Sequence, residues 1–398
     1  MRYMDIVGLD KIFNAIELLN EVKTSNINSC LGEILSSDIV ATKNLPCFDN
    51  AALDGYAFNY NDVDKKLIVK GTIFAGDKNS YEIKNGECYK IMTGAKIPKN
   101  ADTILMLENA KFEEDLLIID KKTTAKNSAY RYIGEEIKKG EILLKKGTLI
   151  TPSTVMYLAS QGITEVLVNT KPKIAIFSTG NEIKEPWENA DENEIYNSNA
   201  SGIGALLNKY SFESEYLGII KDSKDETFAK LNQASQTYDV IITSGGASKG
   251  EADFMHEILS LLKFEQILDG ILLKPAGKPT KCYKKGKKLV FVLPGNPMGA
   301  FLITFLILIP TLKKLIGSNL VYHKKIKTTM KGKLKLKANR SNVVYGIYEN
   351  GLFKVLKDNK YGSGMIRPLV ESNAIYISKF SESLLQDGQI LEILLTKV

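Results

Sequence analysis

Histidine and cysteine are nearly missing from this chain of 398 residues: it has two of the first, His256 and His323, and four of the second. Two histidines leave little from which to build a His-rich metal centre or a Ser-His-Asp hydrolase. Any metal chemistry therefore has to lean on carboxylates. Cys30, Cys47, Cys88 and Cys282 stand far apart and form no CxxC pair, which argues against a structural zinc site and fits reduced thiols in a cytosol. The opening MRYMDIVGLD carries Asp5 and Asp10 and no long apolar core, so no signal peptide is visible. The longest apolar run, Ala300 to Leu312, is about a dozen residues, too short for a bilayer and better suited to a buried helix. Positive charge is in excess, at +7, but it is mostly lysine spread along the chain. Such scatter reads as a solvated surface rather than a nucleic-acid footprint. The expectation is a cytoplasmic protein with neither a membrane nor a nucleic-acid partner.

The length allows several domains. Leu9, Ile12, Phe13, Ile16 and Leu19 keep helical spacing, and Leu31 and Ile34 resume it. From Leu67 to Gly147 short strands alternate with Gly, Asn and Lys turns, and Ile150 to Gly162 looks helical again. A β domain inserted into a helical segment results. From Pro172, KIAIFSTG, SGIGALLNKY, SEYLGII, ETFAKLNQASQ, DVIITSGG, FMHEILSLL and KLVFVLPG alternate strand with helix. That pattern implies parallel βαβ units in an open sheet, with ligands at the carboxyl ends of the strands. Short strands return after Gly317. The expected fold class is α/β and β multidomain: a helical part over 1–42 and 141–170, an inserted β domain over 43–140, an open parallel α/β domain over 171–318 and a small C-terminal β domain over 319–398.

The stretch DVIITSGGASKGEAD, Asp239 to Asp253, carries the most chemistry. An apolar strand runs into Gly245 and Gly246, which let the backbone approach a ligand closely, and a helical pattern follows. Strand, glycine turn and helix make an anion site, because the first N–H groups of a helix lack partners. Glu251 and Asp253 would repel a bare phosphate, and a hard divalent ion such as Mg²⁺ removes the conflict. An ordinary strand-to-helix turn accounts for the same residues.

Four more loops invite the same double reading. LPCFDNAALDGYA presents Asp54 beside Gly55, and IMTGAKIP presents the Thr93 hydroxyl beside Gly94; plain turns explain either. STGNE places Glu182 at a strand end, as a metal or proton-transfer group or as an exposed loop glutamate. KPAGKP sets Lys274 and Lys278 on a proline-stiffened loop suited to a polyanion, and LPGNP follows a strand and opens a helix; structural turns are again the alternative.

Taken together and in order, LPCFDNAALDGYAF, IMTGAKIPKNADTILMLE, STGNEI, IYNSNASG, TSGGASKGEADF, KPAGKP and LPGNP resemble the molybdopterin molybdenumtransferase family, the MoeA proteins and the E domain of gephyrin. The resemblance covers nearly the whole chain and weakens towards the C-terminus. It implies an elongated homodimer whose active site lies between the α/β domain of one subunit and the inserted domain of the other. It implies a reaction that takes adenylated molybdopterin and molybdate, releases AMP, leaves molybdenum on the dithiolene sulfurs and needs Mg²⁺ or a similar ion. It also implies contact with molybdopterin adenylyltransferase and with molybdoenzyme chaperones.

By the same resemblance, Asp54 and Thr93 face the cleft from the inserted domain. Glu182, Asp222 and Asp253 hold the metal or assist attack on the phosphoanhydride. Lys274 and Lys278 neutralise developing charge or hold the oxyanion. Ser244, Gly245, Gly246, Ser248, Pro294, Gly295 and Pro297 line the pterin and phosphate pocket, and Arg340 reaches molybdate. The chain departs from the family pattern at Asn181 and Asn197, where aspartate is usual, and at Gly299, where serine is. KPAGKP is one residue longer than usual, and Tyr345 stands where a second arginine is expected. A tungstate-inserting paralogue and a non-catalytic scaffold are the alternatives that these departures raise. An adenylyltransferase shares the α/β domain but has no need of Asp54 and Thr93.

Overall fold

Six strands from the α/β segment gather into one sheet, in the order Glu215–Ile220, Ile174–Thr179, Val240–Ser244, Lys288–Leu293, Lys281–Lys285, Glu265–Asp269. The computed structural model describes residues 9–122, 124–245, 251–275 and 277–397, the side chains of 251–253 excepted. The first four strands are parallel, as the alternation with helices predicts. The last two are antiparallel, because Gly286, at φ +57°, turns Lys281–Lys285 straight back into Lys288–Leu293. Val240 and Ile242 enter one core and Ile241 the other, so this continuous apolar run is buried on both faces. Chain order reverses between Ile174–Thr179 and Val240–Ser244, which creates the crevice at their carboxyl ends where open α/β sheets bind ligands.

One side of this sheet is covered by the helix Pro297–Leu315, 19 residues long. The apolar run is thus longer than the dozen residues read from sequence, and by length and composition alone the helix could cross a membrane. It is a core helix here, with 83% of its apolar window buried. Its middle, Thr304–Leu308, widens into a π turn just before Pro310, whose ring would meet the carbonyl four residues back in a regular α-helix. His323 stacks on Phe305 at 3.9 Å between ring centroids, donates from Nε2 to the Phe305 carbonyl at 2.6 Å, and accepts at Nδ1 from the Tyr210 hydroxyl at 3.2 Å. A carbonyl only accepts, which sets this tautomer.

Burial pushes the His323 pKa down to about 4; the bond to Phe305 opposes this, while Lys313 and Lys209 add to it. Unfolded histidine titrates near 6.5. Between those two values the unfolded chain binds a proton that the folded chain does not, so stability falls as pH drops from about 6.5 to about 4 and levels off below. The shift corresponds to roughly 3 kcal/mol. Urea midpoints at about pH 7 and 4.5 should fall accordingly in the wild type, and His323→Gln should remove that share of the fall. An equal fall in both proteins would assign the effect to other groups.

The C-terminal strands close on themselves. Ser341–Glu349 pairs with Leu352–Val355 and with Ala374–Ile377, and the ring is completed through Lys325–Lys331 and Ile390–Leu395, which leaves no free edge among them. Leu273–Lys274, from the α/β segment, adds to this sheet alongside Ser341–Asn342. The two sheets share a core in which Val343, Tyr345, Ile375 and Leu394 join Ile174, Val240 and Phe291.

The chain divides into two units. One runs to Ser36, resumes over Gly147–Pro152 and again from Glu165 onward; the other holds Ser37–Lys146 and Ser153–Thr164. The second is built on a sheet ordered Thr103–Met106, Gly55–Phe58, Glu87–Ile91, Leu67–Ile73, Leu116–Ile118, Lys111–Glu113. The helical reading of the first forty residues holds only for Leu9–Ala15. Val22–Asn26 is a strand paired with Glu165–Asn169, and Leu31 is exposed. Long-range pairing overrides a weak local pattern there. Helix Pro152–Ser160 forms as expected, and just past its end Gln161 Oε1 accepts from the backbone N–H of Thr42 at 2.9 Å and of Lys43 at 3.2 Å.

Candidate functional site

The glycine turn after Val240–Ser244 sits at the switch point of the sheet. Gly245 has φ +106°, and a Cβ there would lie 2.4 Å from Thr179 Oγ1 and 2.6 Å from the Thr179 carbonyl oxygen. Only glycine lets the two strand ends approach so closely. The Thr179 hydroxyl is buried with no partner among the described residues, a donor available to a ligand oxygen. Gly295, from LPGNP, comes within 3.5 Å of the Gly245 Cα, measured from the position of an added Cβ. Asn199 ties the two walls together: its Nδ2 donates to Ser244 Oγ at 2.8 Å and to the Gly295 carbonyl at 2.7 Å. Ser244, Gly245, Pro294, Gly295 and Pro297 are thus brought together at one edge, with Pro297 opening a helix capped by Asn296. Gly246 and Ser248 lie outside the described residues, as does the side chain of Asp253. Asn199 escaped the sequence reading; its signal was the Asn-Ser-Asn at the start of helix Ser198–Lys209.

Beside this turn lies a cavity of about 410 Å³, walled by Ser198, Asn199, Pro297, Phe301, Leu369 and Thr396 among others. Its size suits a small molecule. Because Asn199 is both cavity wall and tie to the glycine turn, the cavity adjoins that turn.

Glu182 and Asp222 leave neighbouring strand ends, since Thr179 is paired with Ile220. Both are exposed. The Asp222 backbone N–H donates to Asn181 Oδ1 at 3.2 Å, which holds the two loops together. An Asn or an Asp at 181 can accept that bond, so the amide changes charge rather than geometry. Among the described residues no three carboxylates, cysteines or histidines cluster as a ready metal cage.

Strand pairing decides the place of the cations. Lys274 is in register with Asn342, and the Ser341 N–H donates to the Leu272 carbonyl at 3.1 Å. Asn342 is buried and accepts from Arg340 Nε at 3.0 Å, while its own Nδ2 donates to the Lys337 and Arg340 carbonyls at 2.9 and 3.2 Å. Lys274 and Arg340 thereby come from distant sequence to adjoining backbone. Lys278 follows on the same loop, which Gly277 turns tightly: a Cβ there would sit 2.5 Å from the Ile271 carbonyl oxygen. Lys274 and Lys278 are exposed, and no carboxylate pairs with either of them or with Arg340 among the described residues. Unneutralised cations held on stiff backbone suit a polyanion. Tyr345 is elsewhere: its ring is in the core, edge-on to Tyr361, and it presents nothing to these cations. Gly299 is buried, and its N–H donates to the Asn296 cap at 2.8 Å.

In the second unit, Asp54 Oδ1 accepts from both the Thr93 backbone N–H and the Thr93 hydroxyl, each at 2.7 Å. Those bonds, the hydroxyl first, hold the Asp54 carboxyl below the usual carboxylate range, and Lys90 adds to the effect. Gly55 lets its strand lie close against Thr103–Met106, because a Cβ there would lie 2.1 Å from the Leu105 carbonyl oxygen. The two loops are further zipped by the Gly94 N–H donating to the Ala51 carbonyl at 2.8 Å. The sequence named both residues without pairing them.

Comparisons with known proteins identify the family. Residues 8–162 match the MoeA N-terminal region (domain I and II), and residues 175–314 match a probable molybdopterin binding domain. A molybdopterin molybdenumtransferase of Haemophilus influenzae is 32% identical over 376 residues, 92% of each chain. One from Staphylococcus aureus is 33% identical over 316 residues, 77% of this chain and 74% of the other. The solved molybdopterin biosynthesis MoeA protein of Pyrococcus horikoshii OT3 superposes with a TM-score of 0.81 at 28% identity, covering 99% of both chains. With these matches spanning its length, the chain belongs to the MoeA family of molybdopterin molybdenumtransferases, enzymes of molybdenum cofactor biosynthesis.

Proposed function

We propose that the chain transfers molybdenum from molybdate to the dithiolene of adenylated molybdopterin and releases AMP. The observation that carries this reading is the gathering of Lys274, Lys278 and Arg340, unpaired with carboxylates among the described residues, by the pairing of Leu273–Lys274 with Ser341–Asn342. Lys281, which ends their loop, pairs with Val292 and so puts them at the same sheet edge as LPGNP. Two anions have to be held there, the pyrophosphate of the substrate and the oxyanion. The glycine turn, with the Thr179 hydroxyl beside it, offers donors to the phosphate. The lysines and Arg340 offer charge to the oxyanion and to the oxygen that leaves with AMP. The cavity beside Asn199 suits the fused ring system.

Mg²⁺ fits the donor set at Glu182 and Asp222, two carboxylates on adjacent strand ends, because this ion is held by a few carboxylates together with substrate phosphates and water. Bound there, it would offset the repulsion between those carboxylates and the phosphate. Asp253 completes the proposed metal set. Asp54, kept ionised by Thr93, is proposed as the catalytic carboxylate of the inserted domain. We further propose a cytoplasmic homodimer, contact with the adenylyltransferase that supplies the substrate and with the chaperones of molybdoenzymes, and a functional layout of 1–42 with 141–170, 43–140, 171–318 and 319–398.

AMP release from adenylated molybdopterin, with Mg²⁺ and rising molybdate and with tungstate in parallel, tests the reading. Release is expected to follow the oxyanion concentration, and Lys274→Ala should shift that dependence to higher concentration by about tenfold or more. Tight substrate binding without release under either oxyanion would replace the transferase with a binding protein.

A further inference from the structure

Beside the glycine turn a carboxylate is buried with no cation to meet it. Glu185 is 9% exposed and belongs to the loop that leaves the site strand at Glu182, in which Ile183–Lys184 and Ile195–Tyr196 pair in parallel. Its Oε1 accepts from the Tyr216 hydroxyl at 2.5 Å and its Oε2 from Asn197 Nδ2 at 3.3 Å. Among the described residues no lysine or arginine pairs with it; the neighbouring Lys184 pairs with Glu194 at 3.4 Å.

Asn197, 4% exposed, is tied at both ends of its amide. Its Oδ1 accepts from the hydroxyl of buried Ser178 at 2.9 Å and from the Ala200 N–H at 3.3 Å, and its Nδ2 also donates to the Tyr216 hydroxyl at 2.8 Å. The chemistry leaves one solution for this side chain. A carboxylate only accepts, so the atom facing Glu185 has to donate; a backbone N–H only donates, so the atom facing Ala200 has to accept. An amide meets both demands, and an aspartate would set two carboxylates against each other, which cannot both ionise at such range. Asn197 caps helix Ser198–Lys209, and two residues on, Asn199 holds Ser244 and the Gly295 carbonyl.

We infer that Glu185 is a positioning residue: as the single carboxylate of a buried node with Ser178, Asn197 and Tyr216, it fixes the Asn197 amide, and through it Asn199 and the two walls of the anion turn. The inference rests on the reading of that turn as the phosphate site. Glu185 touches no substrate in this scheme; it sets how well the phosphate is held.

The test is a charge exchange across the pair, read in AMP binding by calorimetry with Mg²⁺ and in steady-state kinetics. Asn197→Asp is expected to weaken AMP by about tenfold or more, and Asn197→Asp with Glu185→Gln to recover it to within about threefold, since a glutamine returns a donor to the pair. In Asn197→Asp the loss should appear in KM, with kcat at saturating substrate within about threefold of wild type. Unchanged AMP binding in Asn197→Asp, no recovery in the double variant, or a loss confined to kcat would overturn the inference. If wild-type protein binds no AMP, the phosphate reading falls instead, and thermal melting of these two variants together with Glu185→Gln alone still decides the node. Recovery of the melting temperature in the double variant supports it, and additive losses overturn it.

Discussion

Asp54→Ala is expected to lower the rate of AMP release by about two orders of magnitude, the scale on which a positioned acid–base group acts, while the protein stays folded. The carboxylate is exposed, and its Oδ1 is occupied by Thr93 alone. Its removal leaves no buried group among the described residues without a partner, so the cost in stability should be the small one of a surface change. The Thr93 bonds keep Asp54 ionised below the usual carboxylate range. The folded-state pKa is depressed, so what ionisation contributes to folding is present above the ordinary pKa of about 4 and is lost only as pH falls through the lower folded value. The rate between about pH 5 and 8 should therefore show no limb from this group. Single-turnover AMP release and a melting curve on the same sample check both halves. Wild-type release by the variant would remove the inserted unit from the chemistry, and a collapsed melting transition would make the loss structural.

Gly245→Ala is expected to abolish AMP binding, with a loss of about 100-fold or more, equivalent to roughly 2.7 kcal/mol. Two costs add. At φ +106° an L-residue is strained, commonly by about 1–3 kcal/mol. The new methyl group would also meet the Thr179 carbonyl oxygen at 2.6 Å, a backbone atom that no side-chain rotation moves away. Relief requires the ends of Ile174–Thr179 and Val240–Ser244 to part, which opens the crevice proposed to hold the ligand. Calorimetry with AMP and Mg²⁺ reads the loss. Gly286→Ala serves as control, because Gly286 also has positive φ but nothing lies within 4 Å of an added Cβ. That variant should pay only the conformational strain and bind as wild type. Equal loss in both would show that strain in the sheet as a whole, rather than closure of the switch point, governs binding.

The two predictions differ in how far the sequence alone could have led to them. Gly245 was legible because a β-branched run, a glycine pair and a helical pattern are all local signals. So were the strand ends carrying Glu182 and Pro294, and the apolar helix that starts at Pro297. The helical reading around Leu31 and Ile34 failed because apolar spacing over so few residues does not separate a helix from strands and turns, and the partner that decides, Glu165–Asn169, lies well over a hundred residues away. The length of the Pro297–Leu315 helix was misjudged because proline and glycine at its start and Lys313 and Lys314 near its end break the apolar run, while its burial is set by what packs on it.

The sequence by itself determined the site's chemical inventory and the order in which it appears: glycine turns after strands, carboxylates at strand ends, lysines on a proline loop, and too little histidine or cysteine for any other metal chemistry. These are properties of residue type and short-range pattern, which local sterics and hydrogen bonding carry. Which of these groups come to lie together is settled by the folded chain. It paired Asp54 with Thr93, set Arg340 on the backbone beside Lys274 through Asn342, sent Tyr345 into the core, and placed Asn199 across the glycine turn with Glu185 behind it. Each of these depends on strand register and on the burial of partners distant in sequence. Register is set by the fit of whole faces against the core, so no window of sequence around one residue contains it.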